Sequence, residues 1–359
     1  MQKTAEVMLL REFDQALEPA QLPVPEPEAG GLLVRLAAAG ICGSDLEIIE
    51  HRDPRLSEDL LPLVPGHEGV GRVEAVGGER RDVNDRVVRP GDLIVWNRGL
   101  SCGRCYYCVV KRRRALCPYR EVYGISLPAR APFWLNGCYA ELLYVRPASE
   151  VIVLPSGTDP AAIVAATCSG ATAAHTAELC GVGTGTNVLV IGPGPLGVFC
   201  AAFALAAGAQ EVLVAATERS KGRLQIAADM GCRTLLTSEL EHWDGPRIET
   251  VIDAAGTARS IRAALDAVDS GGVVAIPGVA SPVEPFDIDV YTQLARKSAR
   301  LQGVWVSDAT HLHQAVSLVL SGRYNLERLV THRFPLSRAN EALQSVRSRE
   351  AMKAVLLPS

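Results

Sequence analysis

Four cysteines spaced C-x2-C-x2-C-x8-C, namely Cys102, Cys105, Cys108 and Cys117, carry the most specific chemical signal in this 359-residue chain. Four thiolates on so short a loop can close a tetrahedral shell around zinc, and a shell with no open position is structural. Lys111 to Arg114 lie inside the loop and read as a solvated face whose charge also helps to hold an anionic four-thiolate site. A second set is scattered: Cys42 in GICGSD, His67 with Glu68 in PGHEGVG, and Cys168 opening CSGATAAHTA. Taken singly, such a cysteine is a small core residue and such a histidine a satisfied polar group. Glycine-flanked turns at the ends of apolar runs, however, project side chains into a cleft. Three ligands of Cys, His and Cys type leave the fourth zinc position to water or substrate, which is the arrangement of a catalytic site.

The third chemical feature is Gly192, Gly194 and Gly197 in GPGPLG, a G-x-G-x-x-G run. The unbroken aliphatic stretch Val188 to Ile191 before it predicts a strand buried on both faces, and the Ala-rich stretch after it predicts a helix. In that setting the first glycine permits a tight turn. The second lets backbone N–H groups approach a pyrophosphate, and the third lets helix and strand pack closely. Pro195 and Leu196 open the helix, and proline is tolerated in a first turn where its missing N–H matters least. The phosphate then sits on the positive end of that helix.

These groups need elements to position them. Up to about residue 160 the chain reads as short apolar runs broken by Gly, Pro and Asp, a strand-rich domain, with VVRPGDLIVW (Val87 to Trp96) read as a hairpin. Beyond it, VLVIG, EVLVAA, ETVIDAAG and GGVVAIPG alternate with helical stretches, which implies a parallel, doubly wound sheet. The expected boundaries are 1–165 for the first domain and 166–303 for the nucleotide domain. The tail 304–359, with a helix over His311 to Leu320 and the strand Lys353 to Leu357, is expected to return to the first.

Composition narrows the class. A net charge of −4 gives no reason to expect nucleic acid or a membrane surface as partner. No apolar run reaches the roughly 18 residues needed to span a bilayer, and the N-terminus lacks the apolar core of a signal peptide. The expected location is the cytoplasm, where ten cysteines read as reduced thiols and metal ligands rather than disulfides.

In order, GICGSD, PGHEGVG, CGRCYYC with LC, CSGATA, GPGPLG, VIDAAG and KAVLLP resemble the zinc-dependent alcohol dehydrogenase branch of the medium-chain dehydrogenase/reductase superfamily, over essentially the whole chain. The resemblance implies an α/β chain: a GroES-like, strand-rich catalytic domain built from both ends of the sequence, plus a Rossmann coenzyme domain, with the active site between them. It implies two zinc ions per subunit, NAD or NADP, and a homodimer or homotetramer. By it, Cys42, His67 and Cys168 match the catalytic zinc ligands. Glu68 matches an acidic residue that can approach the metal, Ser44 the hydroxyl that relays the substrate proton, and Asp45 a carboxylate behind the ligands.

Departures from the family pattern matter too. Glu47 stands where many members have the histidine that completes the proton relay, and His51 nearby reads as a surface group, with an alternative proton outlet as its second reading. The spacing before Cys117 is one residue longer than usual. Where an Asp commonly binds the adenosine ribose, this chain has Ala216, so discrimination falls to Thr217 through Ser220. Glu218 favours NAD and Arg219 with Ser220 favours NADP; the balance leans slightly to NAD. Arg98 stands beside the substrate position implied by the resemblance and predicts a polar or anionic hydroxylated substrate, unless it faces solvent or pairs with Glu47.

The expected activity is hydride transfer between NAD(P) and an alcohol, or the reverse. The alternatives are other nicotinamide chemistry on the same scaffold, such as alkene reduction or redox-assisted epimerisation, and a non-enzymatic binding role.

Overall fold

The computed structural model describes residues 3–52, 56–278 and 285–358. The chain forms two compact units, Met1–Cys168 with Glu327–Ser359, and Ser169–Leu326.

The first unit is strand-rich. Its main sheet runs Val330–Pro335, Lys353–Leu357, Leu32–Gly40, Glu68–Val76, Leu93–Trp96 and Val151–Val153 in spatial order, and Leu142–Val145 also pairs with Leu32–Gly40. Leu32, Val34 and Leu36 point alternately into a core with Ile94, Trp96, Leu143 and Leu356, as the twofold period of a strand requires. The register sets the site: Gly40 lies opposite Glu68, and Val355 lies opposite Gly40. The turn expected within Val87–Trp96 forms, with Asp92 N–H donating to Arg89 O at 3.1 Å and Gly91 at φ +93°. It does not close a hairpin. Val87 bridges to Arg81, while Leu93–Trp96 takes its partners from Val70–Arg72 and Val151–Val153, which offer longer apolar pairing.

The second unit carries six parallel strands in the order Arg233–Leu236, Glu211–Ala216, Asn187–Ile191, Thr250–Asp253, Val273–Ile276 and Arg300–Gly303. This is the 3-2-1-4-5-6 order of a Rossmann sheet, whose direction reverses between Asn187–Ile191 and Thr250–Asp253, the place where such sheets bind ligands. The helix Ala309–Leu320 belongs to this unit and packs on Ser169–Cys180, so the chain re-enters the first unit at Glu327 rather than at 304. Gly170 permits that packing. A Cβ there would lie 3.0 Å from the Ala315 Cβ and 2.9 Å from the Phe199 ring. No helix among the described residues is long and apolar enough to cross a membrane.

Candidate active site and metal centres

The first unit gathers the scattered set. One donor atom from each of Cys42, His67, Glu68 and Cys168 lies within 4.8 Å of the others. Cys42 follows the end of Leu32–Gly40 and caps the helix Gly43–Ile49, and its own N–H donates to Asp45 Oδ2 at 2.8 Å. His67 stands just before Glu68–Val76 behind Gly66, whose φ is +89° and where a Cβ would fall 2.3 Å from the Tyr139 ring, so glycine is required. Cys168 follows a 3-10 turn, Ala165–Thr167, and its Sγ lies 4.0 Å from that of Cys42, a thiol hydrogen bond with no disulfide between them.

Electrostatics suit a metal. Asp45, fully buried, meets His67 Nδ1 through Oδ1 at 3.0 Å and accepts the Tyr139 hydroxyl at 2.9 Å on Oδ2. With Nδ1 so engaged, His67 has Nε2 left as ligand, and its carboxylate partner raises its basicity. Burial alone would depress the imidazole, yet Asp45 and Cys42 together raise it to about 10. The Cys168 thiol, with His67 and Lys353 nearby, holds Cys42 well below the ordinary thiol range despite burial, so this sulfur has thiolate character. Two half-buried thiols, a buried imidazole and a buried carboxylate, with a second carboxylate behind the imidazole, fit zinc.

Ser44 is half-buried, with its Oγ 3.9 Å from Cys42 Sγ. Glu47 is half-buried on the same helix. His51 is half-buried: it stacks on Phe13 at 4.1 Å and its Nε2 lies 3.1 Å from Leu56 O. Arg98 is only 5% exposed, so solvent does not take it. Its Nη1 donates to Thr167 O at 3.2 Å, one residue before Cys168. The Cys168 thiol is pushed up by the Cys42 hydrogen bond and by burial, and the Arg98 charge opposes that rise.

The four-cysteine loop closes on itself. Sulfur separations are 3.5 Å for Cys105–Cys108, 3.8 Å for Cys105–Cys117 and 3.6 Å for Cys102–Cys117, and one donor from each of the four lies within 4.8 Å of the rest. Cys105 caps the short helix Tyr106–Val109. A 3-10 turn, Arg114–Leu116, and the left-handed Arg112 at φ +51° take up the longer spacing before Cys117. Lys111 to Arg114 are exposed, with Arg114 paired to Glu150. Backbone N–H groups of Arg104 and Cys105 bring the Cys102 thiol down to about 6. This set also fits zinc, as a closed four-sulfur shell.

In the second unit the three glycines differ in kind. Gly192 has φ +109°, a left-handed turn directly after the strand. A Cβ at Gly197 would lie 1.8 Å from Gly192 O, so the helix Pro195–Ala206 sits too close for any side chain. A Cβ at Gly194 would meet nothing within 4 Å, which leaves the helix N-terminus open to an anion. Leu196 is half-buried in the first turn. Beyond Glu211–Ala216, Ala216 is buried, while Thr217, Glu218 and Arg219 are exposed. Thr217 Oγ1 lies 3.1 Å from Ser220 Oγ, and Glu218 pairs with Lys221 at 2.7 Å.

Three buried polar residues escaped the sequence reading: Tyr139, Lys353 and Asp253. Lys353 Nζ donates to both carboxylate oxygens of Glu68 at 2.9 Å, and its one sequence signal is a lysine opening an apolar strand. Asp253, at the point where the Rossmann sheet reverses, accepts from the Ala255 and Gly256 N–H groups, and burial raises it to about 6. Tyr139 gave no signal, because its role depends on a fold-level neighbour, Asp45.

Comparison with known proteins agrees with this geometry. Residues 28–156 match the alcohol dehydrogenase GroES-like domain, and 195–321 match the zinc-binding dehydrogenase domain. An L-threonine 3-dehydrogenase of Anaeromyxobacter sp. (strain K) is 30% identical over 93% of both chains, and a 5-exo-hydroxycamphor dehydrogenase of Pseudomonas putida is 28% identical over 95% of both. The crystal structure of an alcohol dehydrogenase from Thermotoga maritima superposes with a TM-score of 0.92 at 37% identity, covering 99% of this chain and 100% of that one. The chain belongs to the zinc-dependent alcohol dehydrogenase branch of the medium-chain dehydrogenase/reductase superfamily. It is an NAD(P)-dependent oxidoreductase that acts on the CH–OH group of a small molecule and uses zinc.

Proposed function

We propose that Cys42, His67 and Cys168 hold a catalytic zinc, that Cys102, Cys105, Cys108 and Cys117 hold a structural one, and that the substrate is a polar or anionic secondary alcohol or the matching ketone. The observation that carries this reading is the confinement of two half-buried thiols, a buried imidazole and a buried carboxylate within 4.8 Å. Zinc bound there supplies Lewis acidity that brings an alcohol's pKa toward neutrality, and the nicotinamide supplies the two-electron acceptor. The protein's own groups do the rest. Ser44 Oγ takes the hydroxyl proton, with Glu47 one helical turn further on as an outlet. Asp45 and Tyr139 fix the His67 ring. Gly192, Gly194, Pro195, Leu196 and Gly197 seat the pyrophosphate at the helix N-terminus. The test is metal analysis, with NAD(P)H absorbance followed on a panel of secondary alcohols before and after chelation; fewer than two zinc ions per fresh chain defeats the reading.

Arg98 supports the polar substrate. Its guanidinium is buried, makes one hydrogen bond to a carbonyl, and pairs with no carboxylate among the described residues, so its other donors are available to an anion. Replacing Arg98 by Lys keeps the charge but removes the fork. This change is expected to lower kcat/KM for an anionic alcohol by about 10- to 100-fold and leave a neutral one little changed. Equal effects on both sink the idea.

Exposed Arg219 has no ionic partner among the described residues, whereas Glu218 is paired with Lys221. This supports NADP over the slight lean to NAD drawn from the sequence. Arg300–Gly303 ends its sheet and pairs on one side only among the described residues, with Trp305 at 63% exposure two residues beyond it. An exposed apolar edge of this kind supports a homo-oligomer in which a second copy covers it. Trp305→Glu, followed by light scattering, is expected to give monomer; an unchanged oligomer, or a monomeric parent, removes that assignment. The cytoplasm is the expected location.

A further inference from the structure

Glu68 is the odd member of the buried donor group. A carboxylate oxygen is a good zinc ligand in its own right, and four protein ligands make a closed, structural shell. Glu68, Cys42, His67 and Cys168 are near enough for such a shell to be within reach. What distinguishes Glu68 is how it is held. Lys353 Nζ donates to Oε1 and Oε2, both at 2.9 Å, and also to Ile41 O at 3.1 Å, the carbonyl just before Cys42. The three donors of the ammonium are thereby all used. Lys353 is 3% exposed and Glu68 is fully buried. On the other side the carboxylate abuts backbone, since a Cβ at Gly40 would fall 2.1 Å from Oε2. Three strands build the clamp: Glu68 opens Glu68–Val76 opposite Gly40, and Lys353 opens Lys353–Leu357, which pairs with the end of Leu32–Gly40.

We propose that Lys353 is a positioning residue that keeps Glu68 out of the metal's ligand set, so that zinc held by Cys42, His67 and Cys168 retains an open position for substrate. The inference rests on that assignment of ligands. Without the lysine a buried carboxylate would lack its counter-ion, which is strongly unfavourable, and the cation left for it to approach is the metal. Glu68 would then close the shell.

Cobalt(II) exchanged into the enzyme reports coordination through its visible spectrum, and imidazole is the added probe for an open position. In the parent, imidazole is expected to shift the cobalt bands. In Lys353→Met the shift is expected to disappear or to need about a hundredfold more imidazole, because an internal carboxylate competes at high effective concentration. Lys353→Arg, which keeps a buried cation with donors, is expected to behave as the parent. The double variant Lys353→Met with Glu68→Ala is expected to regain the shift, which a merely structural role for the lysine does not explain. Parent-like imidazole titration of Lys353→Met overturns the proposal. Should that variant fail to fold, Glu68→Gln decides alone: an unchanged cobalt spectrum supports a carboxylate outside the shell, and an altered one shows Glu68 to be a ligand already. If the parent takes up no cobalt that Cys168→Ala abolishes, the ligand assignment itself has failed, an outcome distinct from the others.

Discussion

Asp45 and His67 meet through one hydrogen bond, Oδ1 to Nδ1 at 3.0 Å, where neither is open to solvent. Asp45 also accepts from Tyr139 and from the N–H of Cys42, so one carboxylate orients two of the residues proposed to hold the catalytic zinc. Asp45→Asn keeps the shape and removes the charge. It is expected to weaken zinc at the Cys42 site by about 10- to 100-fold while the four-cysteine site stays loaded. Chelator titration with metal analysis measures both, and equal loss from the two sites argues against the assignment.

The two cysteine sets should separate by phenotype. Cys168→Ala is expected to abolish turnover with the fold retained. Cys105→Ala opens the closed four-sulfur shell and is expected to destabilise the first unit by more than about 4 kcal/mol. Thermal unfolding and activity measured on both variants check this.

Gly194 and Gly197 give the second contrast. Gly197→Ala would drive a Cβ to 1.8 Å from a backbone oxygen, and a loss of at least about 3 kcal/mol is expected. Gly194→Ala has open space within the protein, so stability should change by less than about 0.5 kcal/mol, yet the methyl occupies the approach to the helix N-terminus. A raised coenzyme KM with an unchanged melting temperature is the expected result.

Arg219→Ala is expected to lower kcat/KM for NADP by about 10- to 100-fold, the worth of a lost charge-assisted contact to a 2'-phosphate, and to leave NAD nearly untouched. A parallel fall with both coenzymes contradicts the assignment.

His175 makes stability fall with acid. Its ring is buried, donates from Nδ1 to Val306 O at 2.9 Å, and packs 4.4 Å from the His311 ring. Burial and the neighbouring His311 lower its pKa, opposed by the Val306 carbonyl, Glu178 and Asp308. The folded ring is therefore neutral where the unfolded one has begun to charge. The contribution is fully present above the unfolded pKa of about 6.5 and declines as pH falls toward the folded value, by at most about 1.4 kcal/mol per pH unit. His175→Gln should flatten that slope below pH 6.5 in denaturant titrations; an unchanged slope assigns it elsewhere.

Much of this was legible because it depends on local spacing. The cysteine loop, the glycine turn and the alternation of strand and helix are each encoded within a few tens of residues. What the sequence hid was long-range. Lys353 meets Glu68 through sheet register, and Tyr139 reaches Asp45 across the fold. Arg98 could be flagged by type and position, but whether its fork faced solvent or the interior depended on Thr167, which belongs to a distant turn. The helix at 309–320 was visible, yet its close packing on Ser169–Cys180 uses the small residue Gly170, which no periodicity marks.

The strand Lys353–Leu357 has a further consequence for how the protein is made. The second unit is one continuous stretch, Ser169–Leu326, whereas the first is interrupted by it and regains two strands of its main sheet only after Glu327. As the chain leaves the ribosome, the Rossmann sheet has every strand it needs while Glu68 still waits, without its counter-ion, for a lysine not yet synthesised. The order of translation thus leaves the strand-rich unit as the later of the two to be completed.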